Sequence, residues 1–304
     1  MTDDPTEPTV SVVVPVYNDP DGIETTLQSL VDQEYPDEDH EIIVVDNGST
    51  DETPDVIESF AERHEPVVSL SESDVQGSYA ARNRGVERAS GEVIAFIDAD
   101  MWVDPDWLES IVRVASIEDY DYFGCEVEIV PVNDPPTLVE RYNVATGFPV
   151  EEYVEESHFA PTCCMVTRAT VFEEVGLFDE RLVSSGDKEF GDRVYRNGST
   201  QGFVPEITMY HPAREMLSEL RRKSIRIGRG RAQLSRYHES RGFEKTSMWH
   251  PKQYAPPRPH RFYRRFRQHG FGKTESVRLY WYVYTSILAS TWGHIRERFA
   301  ELDQ

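Results

Sequence analysis

EVIAFIDAD, residues 92–100, is a run of core-strand residues that ends in two carboxylates two positions apart. Residues 92–97 carry the bulky and β-branched side chains of a strand covered on both faces, and Asp98 and Asp100 stand where such a strand leaves its sheet. The same pattern recurs upstream. VSVVVPV at 10–16, EIIVV at 41–45 and the short run at 67–70 are further strands, separated by polar, helix-permissive stretches. Within 22–32, Ile23, Leu27, Leu30 and Val31 fall on one helical stripe, and 53–63 and 78–89 supply two more crossovers. Strands alternating with helices predict an α/β fold with a mostly parallel central sheet and flanking helices.

After Asp100 the pattern is more mixed. It predicts a helix near 105–115, a strand at 123–130, and a loop marked by Pro131, Pro135 and Pro136. A strand at 163–167 leads into a helix at 169–175, followed by a segment rich in acids and glycine up to Gly191. A helix ending near Gly198 and a short strand at 202–204 come next. An Arg-rich helical stretch occupies 213–239, and 251–259, with four prolines, reads as a linker before two terminal helical segments. Residues 1–9 are expected to be a disordered acidic N-terminus.

The 304 residues carry a formal charge of −24, and only five of the 31 cations are lysines: Lys188, Lys223, Lys245, Lys252 and Lys273. Such an acid-rich, lysine-poor surface suits high salt, which screens its self-repulsion, so acidic runs here are weak guides to substrate. The charge is also segregated. Residues 211–304 hold 20 Lys+Arg against 8 Asp+Glu, leaving 11 against 47 for residues 1–210. The basic part is expected either to cover the acidic body or to face an anionic partner such as lipid phosphate, a membrane surface or nucleic acid, and the resemblance described below leaves no nucleic acid among the expected partners. Cys125, Cys163 and Cys164 lack metal-site spacing and read as reduced, packed thiols, and the polar N-terminus lacks a secretory signal, so a cytoplasmic location is expected. Residues 277–295 approach spanning length but contain Arg278 and His294 with many aromatics, which resembles an interfacial helix more than a bilayer span.

Open α/β sheets bind ligands at the carboxyl ends of their strands, and a carboxylate there can hold a hard divalent cation against a diphosphate. Asp98 and Asp100 occupy such a place. The second strand ends in DNGSTD, residues 46–51, where Asp46 can accept from a base or ribose while Ser49, Thr50 or Asp51 caps the next helix. Four stretches occur in order: VSVVVPVYND (10–19), IIVVDNGSTDET (42–53), GSYAARNRGVERASGEVIAFIDAD (77–100) and GLFDERLVSSGDKEFGDRV (176–194).

Together they resemble family 2 glycosyltransferases across residues 10–197. That resemblance implies a GT-A (nucleotide-diphospho-sugar transferase) fold, a nucleotide-sugar donor with UDP preferred, a DxD site for Mn²⁺ or Mg²⁺, and inversion at the anomeric carbon. It further implies that Pro15 and Tyr17 border the nucleotide, Asp46 contacts the base, Arg82 and Asn83 line the nucleotide side, Asp98 lies near the ribose, and Asp100 is the metal ligand. Asp187 is the implied general base, with Glu189 as fallback. Gly186 departs from the family, standing where the first acid of a Glu-Asp pair is usual. His211, before Pro212, is the second metal candidate, against a purely structural reading. On this basis 10–212 is a catalytic domain (10–100 nucleotide-binding, 101–212 acceptor half) and 213–304 a helical basic C-terminal extension. Arg214, Arg221, Arg222, Lys223, Arg226, Arg229 and Arg231 suit a phosphate-bearing lipid or the donor diphosphate. The expected acceptor is a lipid-linked glycan of the dolichol-phosphate type, at the cytoplasmic membrane face, in surface-glycan assembly or protein N-glycosylation. The alternatives are a dolichol-phosphate sugar synthase and a non-catalytic nucleotide-sugar binding protein.

Overall fold

A computed structural model describes residues 9–243 and 251–300. The acidic N-terminal residues 1–8 lie outside these, so the expectation of disorder there falls outside the described part. Eight strands form one sheet in the order β3-β2-β1-β4-β7-β6-β8-β5. In chain order they are β1 (Val10–Val16), β2 (His40–Asp46), β3 (Val67–Ser71), β4 (Val93–Phe96), β5 (Trp102–Val103), β6 (Tyr122–Val130), β7 (Met165–Arg168) and β8 (Gln201–Pro212).

β3, β2, β1 and β4 pair in parallel, whereas β4 with β7, β7 with β6, and β5 with β8 pair antiparallel. The sheet is thus parallel in its first half and mixed as a whole. Crossovers are made by α1 (Pro20–Val31), α2 (Thr53–Ala61) and α3 (Ser78–Arg88). A central parallel strand is covered on both faces, which is why all of β1 but Pro15 is buried. The β1–β4 register ends at Val13 and Phe96, so Pro15, with no N–H to give, lies beyond that ladder and is matched only with Val45. Past Val13 and Phe96 the two strand exits diverge. Because β1 sits between β2 and β4, the strand order reverses there, and that crevice is the ligand edge of an open sheet.

Further on lie α4 (Trp107–Ile117), α5 (Leu138–Thr146), α6 (Val150–Ser157), α7 (Ala169–Val175) and α8 (Gly186–Asn197). Three sequence expectations are corrected here. The proline-marked region is followed by two helices, since Thr137 and Glu140 close a reciprocal cap that starts α5 despite the prolines before it. α8 begins at Gly186 rather than after Gly191, placing Asp187 and Glu189 in a first turn that favours acids. The strand expected at 202–204 continues to Pro212. Buried positions alternate as Gly202 and Val204, then Ile207, Met209 and His211, so the parity shifts across exposed Pro205 and Glu206 and a period-two reading stops there.

Two compact units are distinguished: one of 1–128, 148–180 and 187–211, the other of 129–147, 181–186 and 212–304. The second contains α5, α9 (Leu217–Tyr237), α10 (Pro259–Gln268) and α11 (Lys273–Ala300). A Cβ on Gly228 would collide with the Ser290 carbonyl, and one on Gly293 with the Ile225 carbonyl, so α9 and α11 cross backbone to backbone. Phe262, Phe266, Phe271 and Leu279 form the core between α10 and α11. Among the described residues no helix is long and apolar enough to cross a membrane.

Candidate active site

Pro15, Tyr17, Asp46, Arg82, Asn83, Asp98, Asp100, Asp187, Glu189 and His211 all belong to the first unit, whereas Gly186 and the Arg-rich stretch from Arg214 to Arg231 belong to the second. At the exit of β1, Tyr17 is 51% exposed and Asn18 takes a positive φ of 50°. That turn is stitched to the exit of β2. The Asn18 N–H donates to Ser49 Oγ at 2.9 Å, the Asn18 Oδ1 accepts from Thr50 N at 2.8 Å, and the Asp19 N–H donates to Thr53 Oγ1 at 2.9 Å. Asp46, buried at the end of β2, accepts from Ser49 N at 3.1 Å and 3.2 Å on its two oxygens. Its carboxylate is thereby aimed at the strand exit. Asn47, for which the sequence offers no signal beyond its place after Asp46, organises the neighbouring loop. Its Nδ2 donates to the carbonyls of Glu72 and Val75, and its Oδ1 accepts from Gln76 Nε2 and Gly77 N, fixing the approach to α3.

α3 brings Arg82 and Asn83 under the β4 exit. Arg82 is buried and donates from Nη2 to Asp98 Oδ1 at 2.5 Å, while its Nε has no partner among the described residues. A buried guanidinium left with an unused N–H suits a further acceptor such as a ligand oxygen. Asn83 does different work. Its amide donates to the Phe178 carbonyl and accepts from the Phe178 N–H, both at 2.9 Å, so it pins the GLFDE loop, and its side chain is engaged by that backbone.

Asp98 and Asp100 have side chains 39% exposed, open to solvent at the sheet edge. Gly22 lets the start of α1 approach this turn, since a Cβ there would press on the Asp19 carboxylate and the Ala99 carbonyl. The turn is also held by Thr26, whose hydroxyl donates to the Met101 carbonyl at 2.6 Å. Antiparallel pairing sets Trp102 opposite Tyr210, with the rings stacked at 5.8 Å, so the register puts His211 beside Met101. His211 is buried, and its Nε2 lies 3.9 Å from Asp100 Oδ2.

Asp187, half-buried in the first turn of α8, donates its N–H to the Tyr79 hydroxyl at 3.3 Å. Tyr79 is buried and stands under the Arg82 guanidinium, 5.8 Å from ring centre to carbon. Contacts therefore run from Asp98 through Arg82 and Tyr79 to Asp187. Glu189, the fallback base, is elsewhere engaged. It is buried in a two-point pair with Arg193, whose guanidinium also donates to the carbonyls of Val175, Gly176 and Leu177 at the end of α7. Tyr79 carried no sequence signal beyond a tyrosine at the start of a helix. Burial pushes the thiols of Cys125 and Cys164 up, and all three cysteines are free and buried, packed as expected.

Among the described residues no three His, Cys, Asp or Glu side chains gather as a complete metal cage. An open pair, one carboxylate with one imidazole, is a donor set that leaves positions for phosphate oxygens and water, which Mg²⁺ and Mn²⁺ accept readily.

Residues 11–176 match the family described as Glycosyl transferase family 2. The chain belongs to that family and is a glycosyltransferase of GT-A type. Glycosyltransferase AglE of Haloferax volcanii is 34% identical over 275 residues, covering 90% of each chain. Poly(ribitol-phosphate) beta-glucosyltransferase of Bacillus spizizenii is 40% identical over 240 residues, 72% of this chain but 38% of that larger protein. Among solved structures, the mannosyltransferase PcManGT from Pyrobaculum calidifontis, in complex with GDP-Man and Mn²⁺, superposes with a TM-score of 0.64 at 19% identity, covering 95% of this chain and 87% of that one. S. aureus TarS 1-349 in complex with UDP-GlcNAc gives 0.54 at 18% identity, covering 96% and 92%. At such identities the structural likeness speaks to fold.

Proposed function

We propose that this glycosyltransferase moves a sugar, with inversion, from a nucleoside-diphosphate sugar to a hydroxyl of a lipid-linked glycan. Asp187 accepts the acceptor's proton as its oxygen forms a bond to the anomeric carbon, while the bond from that carbon to the diphosphate breaks and the nucleoside diphosphate departs. Asp100 and His211 are the residues that would hold Mn²⁺ or Mg²⁺, which supplies charge neutralisation at the departing diphosphate. Pro15 and Tyr17 border the nucleotide, Asp46 accepts from the base, and Asp98 takes the ribose side. Arg82 locks Asp98 in place and keeps one N–H for a donor oxygen. Asn83 acts by holding the loop that leads toward α8.

The observation that carries this reading is the run of contacts from Asp98 through Arg82 and Tyr79 to Asp187, which joins the donor-side acid and the proposed base in one unit. That solved neighbours hold GDP-Man with Mn²⁺ and UDP-GlcNAc supports a nucleotide-sugar donor and a divalent cation. The uridine preference rests on the family resemblance. The basic 213–304 extension supports an anionic, phosphate-bearing acceptor; the dolichol-phosphate type, the cytoplasmic face and the role in surface glycans or protein N-glycosylation rest on the family resemblance. A panel of nucleotide sugars tests the reaction. Hydrolysis or transfer that requires Mn²⁺ or Mg²⁺, and is lost in Asp100→Asn, is expected; metal-independent turnover by the wild type rejects the Asp100 and His211 assignment. A sugar monophospholipid as sole product would identify a dolichol-phosphate sugar synthase instead.

A further inference from the structure

α11 turns one continuous apolar stripe to the outside. Val277, Trp281, Leu288, Trp292 and Phe299 are each exposed, Trp281 by 59% and Trp292 by 58%. At 100° per residue they fall within about 60° of one another around the helix, along roughly 33 Å of its length. Monomers seldom expose so long an apolar strip without a use. The opposite side of α11 is spent on the unit itself, with Leu279, Ala289, Gly293 and His294 buried and Gly293 against α9.

Charge selects the occupant. α11 has two carboxylates between Lys273 and Ala300, and both are paired within the second unit: Glu275 with Arg141 at 2.8 Å, and Glu297 with Arg229 and Gln233, each at 2.8 Å. Its exposed charges are all cationic, Lys273, Arg278 and Arg296, flanking the stripe. α10 adds exposed Arg261, Arg264, Arg265 and Arg267, and no acid occurs from Lys245 to Thr274. Among the described residues of α10 and α11, no carboxylate is exposed. A second copy laid on it would bring arginines together with no carboxylate to pair them, which a symmetric contact penalises. An anionic lipid surface meets both demands, since headgroup phosphates accept from the cations while tryptophan and aliphatic side chains enter the interface.

We infer that the outward face of α11 lies in the plane of an anionic bilayer surface, with Trp281 and Trp292 as its anchors. The helix lies on the bilayer and does not cross it, because Glu275 and Glu297 tie both of its ends to protein groups. The cations bring the protein to the surface at low salt. In molar salt, where the screening length falls to about 3 Å, the apolar stripe alone must hold it there.

This deepens the membrane-surface part of the proposed function and rests on it, but transfer to a water-soluble acceptor analogue tests the reaction separately, so the two can fail independently. The experiment is flotation of the purified full chain with phosphatidylglycerol-containing vesicles, in low salt and in molar KCl. The wild type is expected to float in both, with its tryptophan emission blue-shifted. Trp281→Ser/Trp292→Ser, at exposed positions, is expected to keep its circular dichroism and to lose partitioning in molar KCl by about tenfold or more. Arg264→Gln/Arg265→Gln/Arg267→Gln should weaken binding only at low salt. Wild-type protein that stays in solution in molar KCl, or a double tryptophan variant that still floats there, overturns the inference. So does a dimer that the double variant dissolves, since the stripe would then be covered by a second copy.

Discussion

Asn83 shows how one side chain serves both the fold and the site. Its amide satisfies the N–H and the carbonyl of buried Phe178, so Asn83→Ala leaves two buried backbone groups unpaired, at about 1–3 kcal/mol each. We expect a destabilisation of that order in chemical denaturation, with transfer falling because the loop toward Asp187 loosens; an unchanged midpoint would show that the loop is held otherwise. Asp46, Asp98 and Asp100 were legible in the sequence because each stands at a strand exit, where acids gather around ligands, whereas Asp187, in the first turn of α8, was legible only through the family resemblance. Tyr79 and Asn47 were not, because their importance arises from contacts over long sequence separations, Tyr79 to Asp187 and Asn47 to the 72–77 loop. Glu189 was a plausible base on sequence. Only its burial against Arg193 and the end of α7 gives it a structural task.

At the scale of elements, β1 to β4 and α1 to α3 could be read to within a residue or two because each strand is a dense apolar run, α1 shows a clear stripe, and α2 and α3 fill the crossovers between those strands. The later elements were harder, for definite reasons. The alternation of β8 changes parity at Pro205–Glu206, and α5 is fixed by a cap rather than by apolar periodicity. That cap makes a pH prediction. Glu140 is buried, which raises its pKa, but backbone donors at Thr137, Asn133 and Val132 outweigh this and hold the carboxyl down at about 2. A carboxyl with a lowered folded pKa adds stability above its ordinary value of 4.5, and that stability is lost as pH falls from there toward 2. Thermal unfolding of wild type and Glu140→Gln should therefore differ most above pH 4.5 and converge in acid; a constant difference would show that the carboxylate charge is immaterial.

Across the whole molecule, charge is distributed as deliberately as hydrophobicity. Residues 1–210 carry 47 acids against 11 cations, so self-repulsion should weaken the catalytic part in dilute buffer and salt should relieve it. The melting temperature is expected to rise from low to molar KCl by roughly 3 °C for each kcal/mol of repulsion screened, and a flat profile would contradict that account. The same fold brings acids from the β1, β2 and β4 exits and from the start of α8 into one unit, which is the basis for regarding it as a transferase site. The most direct measurement is transfer from a nucleotide sugar in the presence of Mn²⁺ by Asp187→Asn, alongside donor binding by calorimetry. The account predicts donor affinity close to wild type with turnover lowered about 10²- to 10⁴-fold, the range of a lost general base. Turnover equal to wild type would contradict it.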